Sequence, residues 1–268
     1  MNTLEYLREI GVPELPPRTV PFDPGYDAHT LKEHLRQSAH LMAGIKISMA
    51  CWQIADESVT REKIAACNHH GVKASAGGGP LEIAAHFGKL REYFALCASV
   101  GIGRIEAGEG FIRNNLKPRD LVRMAADFGL EVQFELGEKH TGAFDDGIVD
   151  ALLRQGQQWL DAGAIQLVIE ARESALGVGL FDERGVLNET LAKRFIDEFG
   201  EEATVFEAPI KKSQFALLDY FGNRVILGNV RLEELLRVEI YRRGLHSDAF
   251  QRPHLRPQGP AASLAVGE

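Results

Sequence analysis

Four glutamates stand out before any fold is assumed, because each closes a short apolar run: Glu106 in RIEAGEG, Glu135 in QFELGEK, Glu170 in LVIEARES and Glu207 in TVFEAPIK. Glu135 is followed four residues later by Lys139, Glu207 likewise by Lys211, and Glu170 two residues later by Arg172. Side chains at i, i+2 and i+4 share one face of a strand, so each acid and its cation point the same way if the strand stays regular. Charged groups are costly to bury unless they are paired or used. Acids and bases gathered at one end of a sheet therefore call for a ligand or metal that compensates them, or they are ion pairs that close the top of the fold.

Other candidates carry less. Gly77, Gly78 and Gly79 follow a β-rich run and suit either a loop that cradles a ligand or an ordinary strand-to-helix turn. His69 and His70 adjoin Gly71 at an expected helix end, where a cation complements the dipole. His140 is placed to line a site beside Lys139, although a lone loop histidine is more often solvated. No HxH or HExxH spacing occurs, which argues against zinc.

The elements that must position these residues are legible as a rhythm. Eight β-rich runs, RTVPFDPG, AGIKISMA, VKASAGGG, IGRIEAGEG, LEVQFELGEK, IQLVIEARES, ATVFEAPIK and NRVILGNV, alternate with longer amphipathic stretches. Eight such units predict a single (β/α)₈ barrel, in which catalysis sits at the C-terminal ends of the strands. Helix punctuation agrees: Pro118 suits a first helical position, Gly129 a position just past a helix, and Asn188 a cap for a helix ending at Gly200. The expected division is a lead segment over 1–17, the barrel over 18–250 and a flexible Pro- and Ala-rich tail over 251–268.

Composition narrows the class. With 45% hydrophobic and 25% charged residues the chain can bury a sizeable core. A formal charge of −8 argues against a nucleic-acid partner, which would lean on a basic face. The start lacks the features of a secretory signal and no apolar run approaches bilayer length, so a soluble cytoplasmic protein with no membrane partner is expected. Cys51, Cys67 and Cys97 are widely spaced and odd in number, which suits reduced thiols.

The motifs IEARES, FEAPIKKSQ and LGNV followed by LEELLRVEIYRRGLHSDAF resemble the phosphosulfolactate synthase family, from about Thr19 to Phe250. Lys46, Gly77, Gly78, Glu82, Glu106, Glu135, Lys139, Glu170, Arg172, Glu207, Lys211, Gly228, Asn229, Arg242, Arg243 and Gly244 match the family's motif positions. Two family lysines do not: Pro24 and Glu138 stand in their places.

The resemblance implies a (β/α)₈ enzyme, a lyase-class synthase that adds sulfite to phosphoenolpyruvate with Mg²⁺ in coenzyme M or sulfolactate synthesis, and a homo-oligomer. It assigns catalysis to Lys139, Arg172 and Glu170, with Lys139 as a proton donor whose pKa is lowered toward neutrality. It assigns substrate binding to Lys46, Lys211, Gly77, Gly78, Gly228 and Asn229, and Mg²⁺ to Glu106, Glu135 and Glu170. Two alternatives stay open: a barrel enzyme acting on a different enol phosphate or sulfonated acid, and a non-catalytic protein like the plant heat-stress group that also resembles this family.

Overall fold

The computed structural model describes residues 1–139 and 142–259. Its eight strands fall within the eight β-rich runs: β1 Thr19–Asp23, β2 Ile45–Ile47, β3 Ala74–Ala76, β4 Arg104–Ala107, β5 Glu131–Leu136, β6 Gln166–Ile169, β7 Thr204–Glu207 and β8 Ile226–Arg231. They pair in parallel and in chain order, and β8 closes onto β1, giving one (β/α)₈ barrel. Short helix α1 (Thr3–Glu9) precedes the barrel. The crossovers are built on α2 (Ala28–Ser38), α3 (Cys51–Ile54) with α4 (Glu57–His69), α5 (Gly78–His86) with α6 (Leu90–Ser99), α7 (Pro118–Ala126), α8 (Asp146–Ala162), α9 (Glu189–Phe199) and α10 (Lys211–Phe221). Helices α11 (Leu235–Arg242) and α12 (Ser247–Phe250) follow β8. Among the described residues no helix is long and apolar enough to cross a membrane.

Local chemistry sets these boundaries. Asp27, Asp56, Asp145 and Asn188 each accept a hydrogen bond from a backbone N–H in the first turn of the helix they cap, Pro118 opens α7, and Gly163 ends α8 in the left-handed conformation. The amphipathic helices bury one face against the outside of the strands. There Trp159 of α8 stacks on Phe134 of β5 with ring centres 4.1 Å apart. Inside the barrel a small apolar plug of Val20, Val168, Val205 and Ile226 fills the interior. The charged residues must therefore share what remains of the interior at the opposite, C-terminal end.

The RRG motif works at the other end of the barrel from the strand-end glutamates. Arg242 is fully buried and donates to the carbonyls of Val225 at 2.7 Å, Asn223 at 2.8 Å and Arg18 at 3.3 Å, and to Thr19 Oγ1 at 3.2 Å. Glu239 balances its charge at 3.1 Å and accepts from Thr19 Oγ1 at 2.5 Å. Arg242 thus bolts the β1–β8 seam at the N-terminal ends of those strands. The C-terminal segment is seated in its described part: Leu255 is buried, and the N–H groups of Gln258 and Gly259 donate to the carbonyls of Gly11 and Ile10. The tail expected to be flexible from residue 251 is thus tied to the lead segment through residue 259, because its backbone finds hydrogen-bond partners there.

Candidate active site

At the C-terminal ends of the strands a cavity of about 900 Å³ opens, lined among others by Lys46, Gly77, Gly78, Gly79, Glu106, Glu135, Lys139, Glu170, Arg172, Glu207, Asn229 and Arg231. Glu106, Glu135 and Glu207 end or nearly end β4, β5 and β7, and Glu170 follows β6 directly. All four are almost fully buried. Lys46 lies 2.7 Å from Glu106 and 3.3 Å from Glu207, while Lys139 lies 3.3 Å from Glu135 and 3.4 Å from Glu170. Four carboxylates thus face two ammonium groups, so with all six ionised this buried cluster by itself carries a formal surplus of two negative charges.

Backbone geometry holds this cluster open. Met49, Arg172 and Asn229 line the cavity with φ of 50°, 56° and 52°, a conformation that non-glycine residues adopt at a cost and that concentrates at functional sites. Arg172 N–H donates to Glu170 Oε1 at 2.5 Å, which fixes the turn after β6. The loop that follows returns beneath it: Gly179 has φ of 59°, and a Cβ there would stand 2.1 Å from the Glu170 carbonyl oxygen. Glu82, buried in α5, accepts the N–H groups of Gly110, Phe111 and Ile112 at 3.1, 3.0 and 2.7 Å and shapes the loop after β4. Lys139 N–H donates to the Gly110 carbonyl at 2.9 Å, so that same loop sets the position of Lys139.

Each charge is tuned by its neighbours. Burial pushes the Glu135 carboxyl well above the usual range, and repulsion from Glu170 and Glu106 adds to it. Burial, reinforced by Glu207, pushes Glu170 up to about 7. Glu207 is raised by burial in spite of Lys46, whereas Glu106, equally buried, is held low by Lys46. Burial alone would depress the two lysines, but the surrounding glutamates outweigh it and raise both. The lowered pKa expected for Lys139 is therefore corrected: its ammonium is stabilised, because acids from three strands surround it and the expectation counted only cations and desolvation.

The structure places three further candidates away from the open part of the cavity or in other company. Lys211 does not enter the cavity: β7 stops at Glu207, the chain turns, and Lys211 opens α10 with its Nζ 5.0 Å over the Phe215 ring and 4.0 Å from Asp248. Glu106 has both oxygens engaged, one by Lys46 and Gly78 N–H and the other by Gln133 Nε2 at 3.0 Å. Gly228 stays outside the cavity lining. It pairs with Glu207 across β7 and β8, and a Cβ there would lie 3.0 Å from Val205 Cγ1. Gly77, Gly78, Lys46, Lys139, Glu135, Glu170, Arg172 and Asn229 do come together. His140 lies outside the described residues. Gln133 and Arg231 went unnoticed as site residues, and Glu82 was legible as a motif match without a role. Arg231 had a legible signal, since it stands two residues beyond Asn229 on the same strand.

Among the described residues no group of three or more His, Cys, Asp or Glu side chains is arranged to hold a metal ion. Two observations nonetheless fit a hard divalent cation that keeps most of its waters: the acid surplus of the buried cluster, and Glu170 Oε2, which is buried beside Glu135 without a hydrogen bond and has the Lys139 ammonium 3.4 Å away as its ion-pair partner.

The raised Glu170 has a measurable consequence. Its folded-state pKa of about 7 exceeds the ordinary 4.5, so between those values the folded protein holds a proton that the unfolded chain has lost. Stability from this group is full below the lower value and erodes as pH rises through the window, by about 3 kcal/mol if Glu170 titrated alone. Thermal melts at pH 5 and pH 8 should show the Glu170→Gln variant losing less stability between the two than wild type. Parallel losses would contradict the assigned burial and repulsion.

Fold and mouth together define a TIM-barrel protein with a carboxylate–lysine site at the C-terminal ends of its strands. The family model described as (2R)-phospho-3-sulfolactate synthase (ComA) matches residues 16–248, and the chain belongs to that family. It is 30% identical to the phosphosulfolactate synthase of Methanocaldococcus jannaschii, over 87% of this chain and 93% of that protein. Against the enzyme of the same name from Methanothermobacter thermautotrophicus the figures are 28%, 95% and 100%. These relatives make the chain an enzyme of this general kind. Solved structures show the fold alone. The chain resembles a putative phosphonomutase from Burkholderia cenocepacia with TM-score 0.55 and 12% identity, covering 89% of this chain and 96% of that one. It also resembles the carboxyl transferase domain of Rhizobium etli pyruvate carboxylase with TM-score 0.61 and 10% identity, covering 96% of this chain and 46% of that one.

Proposed function

We propose that the protein adds sulfite to phosphoenolpyruvate in the presence of Mg²⁺ and forms 2-phospho-3-sulfolactate. The observation that carries this is the Lys139 ammonium held between Glu135 and Glu170 at the rim of the cavity, in a chain of this family. The sulfur lone pair of sulfite attacks the methylene carbon, the carbon–carbon π bond breaks, and its electrons pass into the carboxylate as an aci-carboxylate. Lys139 then gives a proton to the neighbouring carbon, which restores the carboxylate and leaves the phosphate ester intact. Although the amine's pKa is raised, the carbon of an aci-carboxylate is far more basic than an amine, so the transfer still runs downhill. A divalent cation, held by Glu135 and Glu170, would supply positive charge opposite the substrate carboxylate.

Lys46, committed to Glu106 and Glu207, keeps the acid cluster in register. Arg172 stands exposed at the cavity wall as the cation available to the substrate. Incubation with both substrates should consume them in equal amounts, and exhaustive chelation should stop the reaction until Mg²⁺ is restored. Unaltered turnover after chelation would contradict the metal requirement.

A further inference from the structure

Anion recognition in the mouth has to come from cations that the glutamates have not already neutralised. Lys46 and Lys139 each lie within 3.4 Å of two carboxylates. Two more cations line the same cavity, Arg172 and Arg231. Among the described residues Arg172 has no ion-pair partner. Arg231 reaches in from the end of β8, opposite Phe22 of β1, with its guanidinium carbon 6.0 Å from the Phe22 ring centre. Its Nε donates to Glu233 Oε1 at 2.7 Å, and both side chains are 45% exposed. An ion pair so exposed contributes little, so an incoming dianion competes readily for the arginine. The Tyr26 hydroxyl donates to the other oxygen of Glu233 and keeps that carboxylate in place when the arginine turns away.

We propose that Arg231 is an anion-binding residue of this cavity, taking a phosphate-type dianion together with Arg172, and that Glu233 competes with the ligand for it. A planar guanidinium matches phosphate oxygens through two parallel bonds, which suits the dianion better than a point charge would. That the dianion is the phosphate of phosphoenolpyruvate rests on the proposed function; the cation and its site rest on the cavity.

Calorimetry on the full chain separates the two, with inorganic phosphate as one probe and phosphoenolpyruvate plus Mg²⁺ as the other. Arg231→Gln should weaken both by about tenfold or more, the usual effect of losing a charge-assisted bond. Glu233→Gln should tighten phosphate a few-fold. Arg224→Gln, which removes an exposed cation paired with Glu201 ahead of β8, should change neither. Affinity unchanged in Arg231→Gln, or no phosphate binding by wild type, overturns the proposal, and unchanged affinity in Glu233→Gln overturns the role of that carboxylate. Phosphate binding that depends on Arg231 without any binding of phosphoenolpyruvate leaves this inference standing and removes the proposed substrate.

Discussion

Lys139→Arg should fold normally and lose turnover by about a thousandfold, within the range that a positioned general acid contributes. The charge survives in this variant, so Glu135 and Glu170 keep a cation between them and the cluster does not unbalance. What disappears is a proton that can leave. The glutamates that raise the lysine would raise an arginine by a similar amount, so the gap between a primary amine and a guanidinium persists in the site. Steady-state kinetics with a melting curve measures both halves, with kcat falling and KM moving little. Activity within a few-fold of wild type would refute the donor role.

Lys46→Met should cost stability more than activity alone would reveal. The side chain is buried between Glu106 and Glu207, and removing it leaves four buried carboxylates with one ammonium. Breaking a buried ion pair from one side costs about 3–5 kcal/mol, which for a chain of this size lowers Tm by roughly 6–20 °C. The loss should be largest at pH 8. At pH 5 the orphaned carboxylates can take up protons and shed part of the penalty. A melting temperature at pH 8 equal to wild type would show that the acid surplus in the mouth does not strain the fold.

The pattern of success in reading the sequence has a physical basis. Most strands announced themselves because they are short runs rich in Val, Ile, Leu or Phe, and Pro118 and Asn188 mark helix starts through local chemistry alone. The convergence of Glu106, Glu135, Glu170 and Glu207 was legible for the same reason: a shared strand phase in a barrel becomes a shared mouth.

Lys211 shows the limit, since the four-residue spacing from Glu207 holds only while the strand continues, and β7 ends at Glu207 itself. Lys139 has the same spacing from Glu135 but reaches the site because the chain turns at Gly137 and is caught by the Gly110 carbonyl, a contact 29 positions away. The pKa of Lys139 is set by acids on other strands, and the anchoring of Glu106 by Gln133 depends on register across β4 and β5. Neither is visible along one stretch of chain.

Phosphorus NMR on the purified protein with Mg²⁺, sulfite and phosphoenolpyruvate at millimolar concentrations tests the central claim most directly. The account predicts that the enol phosphate resonance is replaced, only when sulfite is present, by that of a saturated phosphate ester, with no orthophosphate released. A phosphoenolpyruvate signal unchanged after long incubation, while another enol phosphate or a sulfonated acid reacts under the same conditions, would contradict it.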